Sequence, residues 1–546
     1  VWSVDAVAKN RSTSPYGTIV AFSESSLDEN LLVVGTDDGL IQLSMDGGNS
    51  WQKIDNIPGV PDRTYVNAVF CSKHDENVIY AAFNHHKYGD FKPYIFKSKD
   101  KGMSWQKISN NLPERGSVYS IEEDHIDPNL IFCGTEFGVF FSSNGGSRWK
   151  QIKSGVPTIA VRDVAIQARE SDLVLGTFGR GFYVLDNYSS LRGLGEGEIA
   201  EDSKIYPVRD ALMWEQSKPL GLPGKAFLGD GLYTGENLGP VMFIDYYYNE
   251  KEESLKDKRR KKDSEDAKEG KSNPYPSYEA LLDESREMSP QLVFTIKDKA
   301  GNVVRKINKK PGKGIQRLTW DLRFAPKDPI DLSKSSFYNP FAGKTEGTLV
   351  EPGQYTIEMS RTHNGETTPL AGPVAFNVKA LNNTVLPADN RTDKVAFQRE
   401  VAEFSRRVQG TQSLLSEMRD KMRHIKEAIK LVEQPGDELL DEYYSLKMKI
   451  DDASRELGGD NIKTRLDIDQ PPSPASRLGW INYEQKYSTS TPTGTHRMSL
   501  AIAKEEFEPI LERIKAMATK EMDALEQKLE DVGAPYTPGR ALKMID

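Results

Sequence analysis

Cysteine is nearly absent: Cys71 and Cys133 are the only two in 546 residues. Two thiols cannot build a disulfide-dense scaffold or a cysteine-based zinc cage. Both lie in apolar runs and read as buried thiols. Long hydrophobic runs are also missing, and no stretch approaches the roughly 20 apolar residues of a bilayer-spanning helix, which excludes an integral membrane protein. An excess of positive charge is lacking, with 72 Lys and Arg against 81 Asp and Glu and a net charge of −9. A chain-wide nucleic-acid footprint is thereby excluded. There is no glycine-rich phosphate loop entering a helix and no nucleophile elbow. No Glu-x-x-His pair suggests a di-metal centre, and His424 stands alone. The first residue is Val1 and no charged-then-apolar leader follows. The expectation is a removed leader or the downstream piece of a longer polypeptide. What is present, 37% hydrophobic and 28% charged residues, is the composition of a folded chain of two to four domains.

The strongest positive signal is internal repetition. Ser44-Met45-Asp46-Gly47-Gly48-Asn49-Ser50-Trp51 returns as Ser98-Lys99-Asp100-Lys101-Gly102-Met103-Ser104-Trp105. It returns again, weakened, as Ser142-Ser143-Asn144-Gly145-Gly146-Ser147-Arg148-Trp149, at spacings of 54 and 44 residues. The pattern S-x-D-x-G-x-S-W resembles the Asp-box, or BNR, repeat. Its physics is that of a staple. Ser44, Ser98 and Ser142 tie the entry of a tight turn, Asp46, Asp100 and Asn144 accept backbone N–H bonds, and Gly48, Gly102 and Gly146 take a positive φ. Trp51, Trp105 and Trp149 are then expected to drop between neighbouring strands, each burying on the order of 200 Å². A structural calcium ion or a sugar at the acidic position is the alternative role.

Four short apolar runs surround each turn: Val66–Cys71, Val78–Phe83, Tyr94–Lys97 and Trp105–Ile108, then Val118–Glu122, Leu130–Thr135, Val139–Phe141 and Trp149–Ile152. Four strands per unit of 40–50 residues describe a β-propeller blade. The last unit has three, Val161–Ile166, Leu173–Thr177 and Phe182–Leu185, and no acidic turn. Val1–Asp5 resembles the stretch that follows such a turn. Either residues 1–6 close a four-bladed ring as its missing outer strand, or the blades complete a larger ring carried on an upstream segment or a separate chain. The second is preferred, because open strand edges invite aggregation.

Residues 193–385 read as a β-sandwich of immunoglobulin or fibronectin type, with strands at Val241–Tyr248, Gln291–Lys297, Val303–Ile307, Leu318–Leu322, Gln354–Met359 and Val374–Val378. Trp320 is expected in its core. The mixed-charge run 250–272 reads as a solvated, mobile hairpin extension rather than a nucleic-acid patch, since acids interleave with its bases and no aromatics accompany them. Residues 386–533 show a helical period and suggest an antiparallel three-helix bundle, with a Pro- and Ser-rich loop from Asp469 to about Thr495. Pro435-Gly436 is read as the end of the first helix. The tail, 534–546, is expected to be extended and to pack back on another domain.

The chain resembles the sortilin-like, BNR-repeat proteins of Bacteroidetes that often carry the label glycosyl hydrolase. The resemblance lies in Asp172–Asp186, in Gln316–Arg323, in Pro352–Tyr355 and in Ala534-Pro535-Tyr536-Thr537-Pro538-Gly539-Arg540. It implies an exported protein, extracellular, periplasmic or on the cell surface, with more blades upstream. The sequence departs from the repeat at Asn144 and Arg148, and in the last blade, which has no acidic turn.

Two functions follow from different chemistry. The blade rim opposite the acidic turns gathers Asp37, Asp38, His85, His86, Glu136 and Arg180, with Arg63, Arg115, Arg162 and Asp163 beside the first strands. That rim suits a non-catalytic binding or scaffold protein for peptides or glycans, with His85, His86, Arg162, Asp163 and Arg180 as ligand contacts. A glycoside hydrolase needs two carboxyl groups about 5–9 Å apart, or a Tyr–Glu nucleophile pair with arginines for a sialic acid. Asp37, Asp38 and Glu136 are the candidate carboxylates, and no sialidase-like arginine triad with an Arg-Ile-Pro start is present. Ordinary turn chemistry accounts for each of these residues as well. A metal at His85, His86 and Asp90 is not expected, because adjacent histidines rarely converge on one ion. A third possibility is a subunit of an outer-membrane or cell-surface complex.

Overall fold

A computed structural model describes residues 17–194, 202–214, 239–249, 253–332, 346–433 and 436–540. Val1–Asp5 and Pro435 lie outside them. The chain divides into two compact units, Val1–Asp202 and Ser203–Asp546.

The first unit holds four antiparallel sheets in chain order. They are β1–β4 (Ile19–Glu24, Leu32–Thr36, Ile41–Ser44, Gln52–Ile54) and β5–β8 (Tyr65–Cys71, Ile79–Asn84, Tyr94–Ser98, Gln106–Lys107). Next come β9–β12 (Val118–Glu123, Ile131–Thr135, Gly138–Ser142, Lys150–Ile152) and the three-stranded β13–β15 (Val161–Gln167, Asp172–Thr177, Phe182–Leu185). Each is an up-and-down meander, the unit from which propeller blades are made. Successive sheets pack face to face. Val33 and Ile41 share a core with Val69, Ala81 and Phe96; Tyr80 and Ile95 with Ile121 and Cys133; Phe132 and Val139 with Val164 and Leu175. The inner strands are buried on both faces, which explains their unbroken apolar reading.

A polar cluster between sheets was invisible in the sequence. Asp124, wholly buried, accepts a two-pronged bond from Arg192 at 2.8 Å and another from the Tyr188 hydroxyl. Burial raises its carboxyl pKa, but Arg192, Tyr188 and two backbone N–H groups outweigh that and hold it at about 2. Glu123 beside it accepts from the Ser72 hydroxyl, the Lys73 N–H and the Tyr80 hydroxyl of the preceding sheet.

The second unit opens with two sheets around one core. One is β16 (Ser203–Ile205), β18 (Met242–Tyr248) and β21 (Gly314–Trp320). The other, in spatial order, is β17 (Ala211–Met213), β23 (Glu366–Ala380), β22 (Gly353–His363), β19 (Gln291–Asp298) and β20 (Val303–Lys309). β17 joins β23 in parallel, a pairing its three residues do not advertise. Trp320 is buried between the sheets, its indole N–H donating to the Arg323 carbonyl at 2.9 Å, with Tyr355 and Phe376 at its edges.

The charged insertion is not a hairpin. Its described part forms helix α1 (Leu255–Lys268), which pairs with α2 (Tyr278–Arg286). Ser254 caps α1 by accepting from the Asp257 N–H, and Arg259 bonds both Asp263 one turn on and Glu284 of α2. Opposite charges at helical spacing thus supply what an apolar stripe lacks.

The helical region has four principal helices rather than three: α3 (Arg391–Ile429), α4 (Asp437–Gly458), α6 (Pro474–Tyr487) and α7 (Gly494–Ala516), the last continued through a π-turn into α8 (Met522–Asp531). A single turn, α5 (Asn461–Arg465), follows α4. The supposed loop contains α6 because Ser473 caps it and Pro474 occupies its first turn, where proline fits. In cross-section the bundle still has three rods. Asp393–Arg497, Glu400–Lys504, Arg407–Glu508 and Lys421–Glu526 advance together, so α3 and α7–α8 run parallel. The pairs Glu442–Lys528, Lys449–Glu521 and Glu456–Arg513 run oppositely, so α4 is antiparallel to them. Ser488, Gln485 and Asn482 of α6 and the residue after it meet Lys394, Gln398 and Ser405 in reverse order. The middle rod is therefore α4 and α6, broken at 459–473. The described tail packs on this bundle, with Thr537 and Arg540 buried and Arg540 bonded to Glu530 and the Ala534 carbonyl.

Candidate functional site

Each repeat turn is built from its own residues. The Ser44 hydroxyl donates to Asp46 at 2.8 Å and accepts from the Gly48 N–H at 2.8 Å. Asp46 accepts the Ser50 N–H at 2.8 Å and the Ser50 hydroxyl at 2.6 Å. These bonds hold its carboxyl pKa at about 2. Ser98, Asp100, Gly102 and Ser104 repeat every bond. Asn144 keeps the bonds made through one oxygen, to Ser142 and the Arg148 N–H. The glycines have φ between +82° and +93°. The indoles do not share one fate: Trp149 is buried, Trp105 half-buried and Trp51 exposed by 41%. The expectation that each drops between strands fails at Trp51, whose N–H returns to its own turn at the Gly48 carbonyl.

At the opposite ends of the sheets lie the β2–β3, β6–β7, β10–β11 and β14–β15 turns, which carry the expected rim. Asp37 accepts the Gly17 and Thr18 N–H groups at 2.9 and 3.0 Å, and Asp38 accepts the Thr36 hydroxyl. Both carboxylates therefore hold backbone or turn. His85 bonds the Thr64 hydroxyl through Nδ1 at 2.9 Å and stacks on Tyr88 with ring centres 4.5 Å apart. His86 approaches the Asn84 side-chain oxygen with Nδ1 at 2.6 Å. The two histidines thus point to different partners. Among the described residues no group of three or more His, Cys, Asp or Glu side chains is placed to hold a metal ion.

The third and fourth sheets bring several rim residues together. The Tyr119 hydroxyl donates to Glu136, and the Arg162 guanidinium lies over the Tyr119 ring at 3.8 Å and near Phe178 at 5.3 Å. Burial, then the bond to Glu136, pushes the Tyr119 hydroxyl up to about 12. Burial, then the charges of Lys87 and Arg162, lowers the pKa of His86. Arg180 sits in the exposed β14–β15 turn between Gly179 and Gly181, both at positive φ. Asp163 accepts its neighbour's N–H, from Val164.

Sequence reasoning missed the aromatics. Tyr88, Phe91, Phe137 and Phe178 are exposed along the rim beside the charges. The available signal was a phenylalanine inside two of the glycine-bounded turns, Gly134–Gly138 and Gly176–Gly181. Among the described residues no hydrogen bond or ion pair joins Asp37 or Asp38 to Glu136. Glu122, whose carboxyl burial pushes up, lies at the other end of β9 and pairs with Lys73.

No family model matches the chain, and no curated protein is similar to it in sequence. Solved structures are similar over part of it. YCF48 bound to D1 peptide is 16% identical, with a TM-score of 0.25 over 31% of this chain and 52% of that one. The GH74 enzyme of Niastella koreensis is 13% identical, with a TM-score of 0.26 over 34% and 32% of the two chains. The β-propeller domain of Cps50 (Swd1) from Myceliophteria thermophila is 12% identical, with a TM-score of 0.26 over 36% and 65%. The chain thus spans about half of the YCF48 chain and a third of the GH74 enzyme. No helix of the described residues is long and apolar enough to cross a membrane.

Proposed function

We propose that this is a non-catalytic binding or scaffold protein, displayed outside the cytoplasm, whose propeller rim takes peptide or glycan ligands, peptides ahead of sugars. The sandwich, read as an immunoglobulin-like module, and the helical bundle serve assembly. The reading rests on Arg162, whose guanidinium lies 3.8 Å from the centre of the Tyr119 ring while the Tyr119 hydroxyl donates to Glu136. Flat aromatic faces with a fixed cation and a fixed carboxylate suit side-chain and backbone recognition. Asp37 and Asp38 are taken up by backbone and turn donors, which argues against their forming a water-activating pair.

The test is a binding screen of the chain against peptide and oligosaccharide panels. A selected ligand should bind about tenfold more weakly to Arg162→Ala and to Phe178→Ala, a loss of about 1.4 kcal/mol. Release of reducing sugar from a polysaccharide, abolished by Asp37→Ala or Glu136→Ala, overturns the reading in favour of a glycoside hydrolase.

A further inference from the structure

The three interfaces between consecutive sheets follow one rule, and the first sheet presents half of a fourth. Val69, Ile121 and Val164 occupy the same register position on the first strands of the second, third and fourth sheets, opposite Ala81, Cys133 and Leu175. Each points toward the preceding sheet and is 4–6% exposed. Phe22 holds that position in the first sheet, opposite Val34, and is 60% exposed.

The repeat turns obey the same rule. A Cβ added at Gly102 would stand 2.7 Å from Ile54 of the preceding sheet, and one at Gly146 would stand 2.8 Å from Ile108. The isoleucine three residues after Trp51 and after Trp105 is thus a knob, and the positive-φ glycine of the next turn is its socket. Trp149 is sealed by the same segment, donating to the Ile108 carbonyl at 2.7 Å, while Asn111 bonds the Trp149 backbone. At Gly48 an added Cβ would meet only Leu32 and Trp51 of its own sheet. Phe182 and Val184, on the outward face of the fourth sheet, are exposed too. The first and fourth sheets therefore do not cover each other, and the described sheets form an open stack.

We infer that the face of Phe22, Leu32, Gly48 and Trp51 is the docking surface for one further four-stranded sheet of the same repeat, which seats an isoleucine-like knob on Gly48. Continuity with the two interfaces that seat an isoleucine on a repeat glycine fixes the occupant's chemistry: a four-stranded sheet whose outer strand carries W-x-x-I. The inference is independent of what the rim binds.

The experiment compares hydroxyl-radical labelling of the 546-residue chain expressed alone with that of the protein isolated from its own cells. Trp51 and Phe22 should label readily in the lone chain and fall to the level of buried Trp149 in the native assembly. Lysine cross-links from Lys53 should reach a peptide containing the S-x-D-x-G-x-S-W repeat, and its sequence tells whether it lies in the same polypeptide or another. Phe22→Glu should leave the unfolding midpoint of the lone chain in place yet restore Trp51 labelling in the native assembly. Equal labelling in both preparations, protection by a segment without the repeat, or protection by a second copy of residues 17–194 overturns the inference.

Discussion

Turns 44–51 and 142–149 share the serine–glycine staple, Ser44 with Gly48 and Ser142 with Gly146, yet one tryptophan lies partly in water and the other is sealed. The difference lies outside the motif. Trp149 bonds to Ile108 and Asn111 of the sheet before it, whereas the Trp51 indole bonds back to its own turn at the Gly48 carbonyl. A repeat fixes its own loop; the neighbour decides whether the indole becomes core. Trp105, between Ile54 and its own turn, is intermediate.

Substitutions can break this comparison. The largest effect is expected at Trp149→Ala, which should cost about 3–5 kcal/mol in denaturant unfolding of the first unit, whereas Trp51→Ala in the lone chain should cost under about 1. Equal losses would mean that the turn, not the neighbour, determines the indole's contribution. Arg192→Ala should cost a similar 3–5 kcal/mol, because it strands the buried Asp124 carboxylate. Arg192→Lys should recover only part of this, since an ammonium cannot reproduce the two-pronged bond.

The same pair gives a pH dependence. Asp124 is held at about 2, below its unfolded value near 4, so its contribution is complete above about pH 5 and is lost as pH falls toward 2. Melting temperatures of wild type and Arg192→Ala should therefore converge in acid; parallel curves would refute the assignment. The smallest effect sharpens the socket rule. Gly48→Ala and Gly146→Ala carry similar backbone strain, but only the second collides with a knob. Gly48→Ala should be the milder by about 1 kcal/mol in the lone chain.

The repeat turns were legible because the Ser, Asp and Gly bonds that define them join residues within four positions, and local chemistry is written locally. The strands around them were legible from apolar runs at constant spacing. What depended on distant neighbours was not: the exposure of Trp51, the Asp124–Arg192 pair across 68 residues, and the parallel strand Ala211–Met213. In the helical region, α6 escaped because few of its residues are core, chiefly Leu478 and Ile481, and Ser473-Pro474 was read as loop rather than helix start. Helix α1 escaped because it buries no side chain at all. At the rim, charged residues were named because they titrate. The rings that organise them, Tyr119 and Phe178, were passed over as ordinary strand and turn residues.

The seating of Ile54 on Gly102 and Ile108 on Gly146 also gives the array a direction of growth. Every module offers its knob forward and its socket backward, while the three-stranded fourth module has neither repeat glycine nor outer strand. Its outward face, with Phe182 and Val184 exposed, is nevertheless not the polar face of a terminal cap in a tandem-repeat architecture. A module docked ahead of Ile19 can thus seat its knob on Gly48, whereas one docked behind Leu185 meets no knob to fill its own socket.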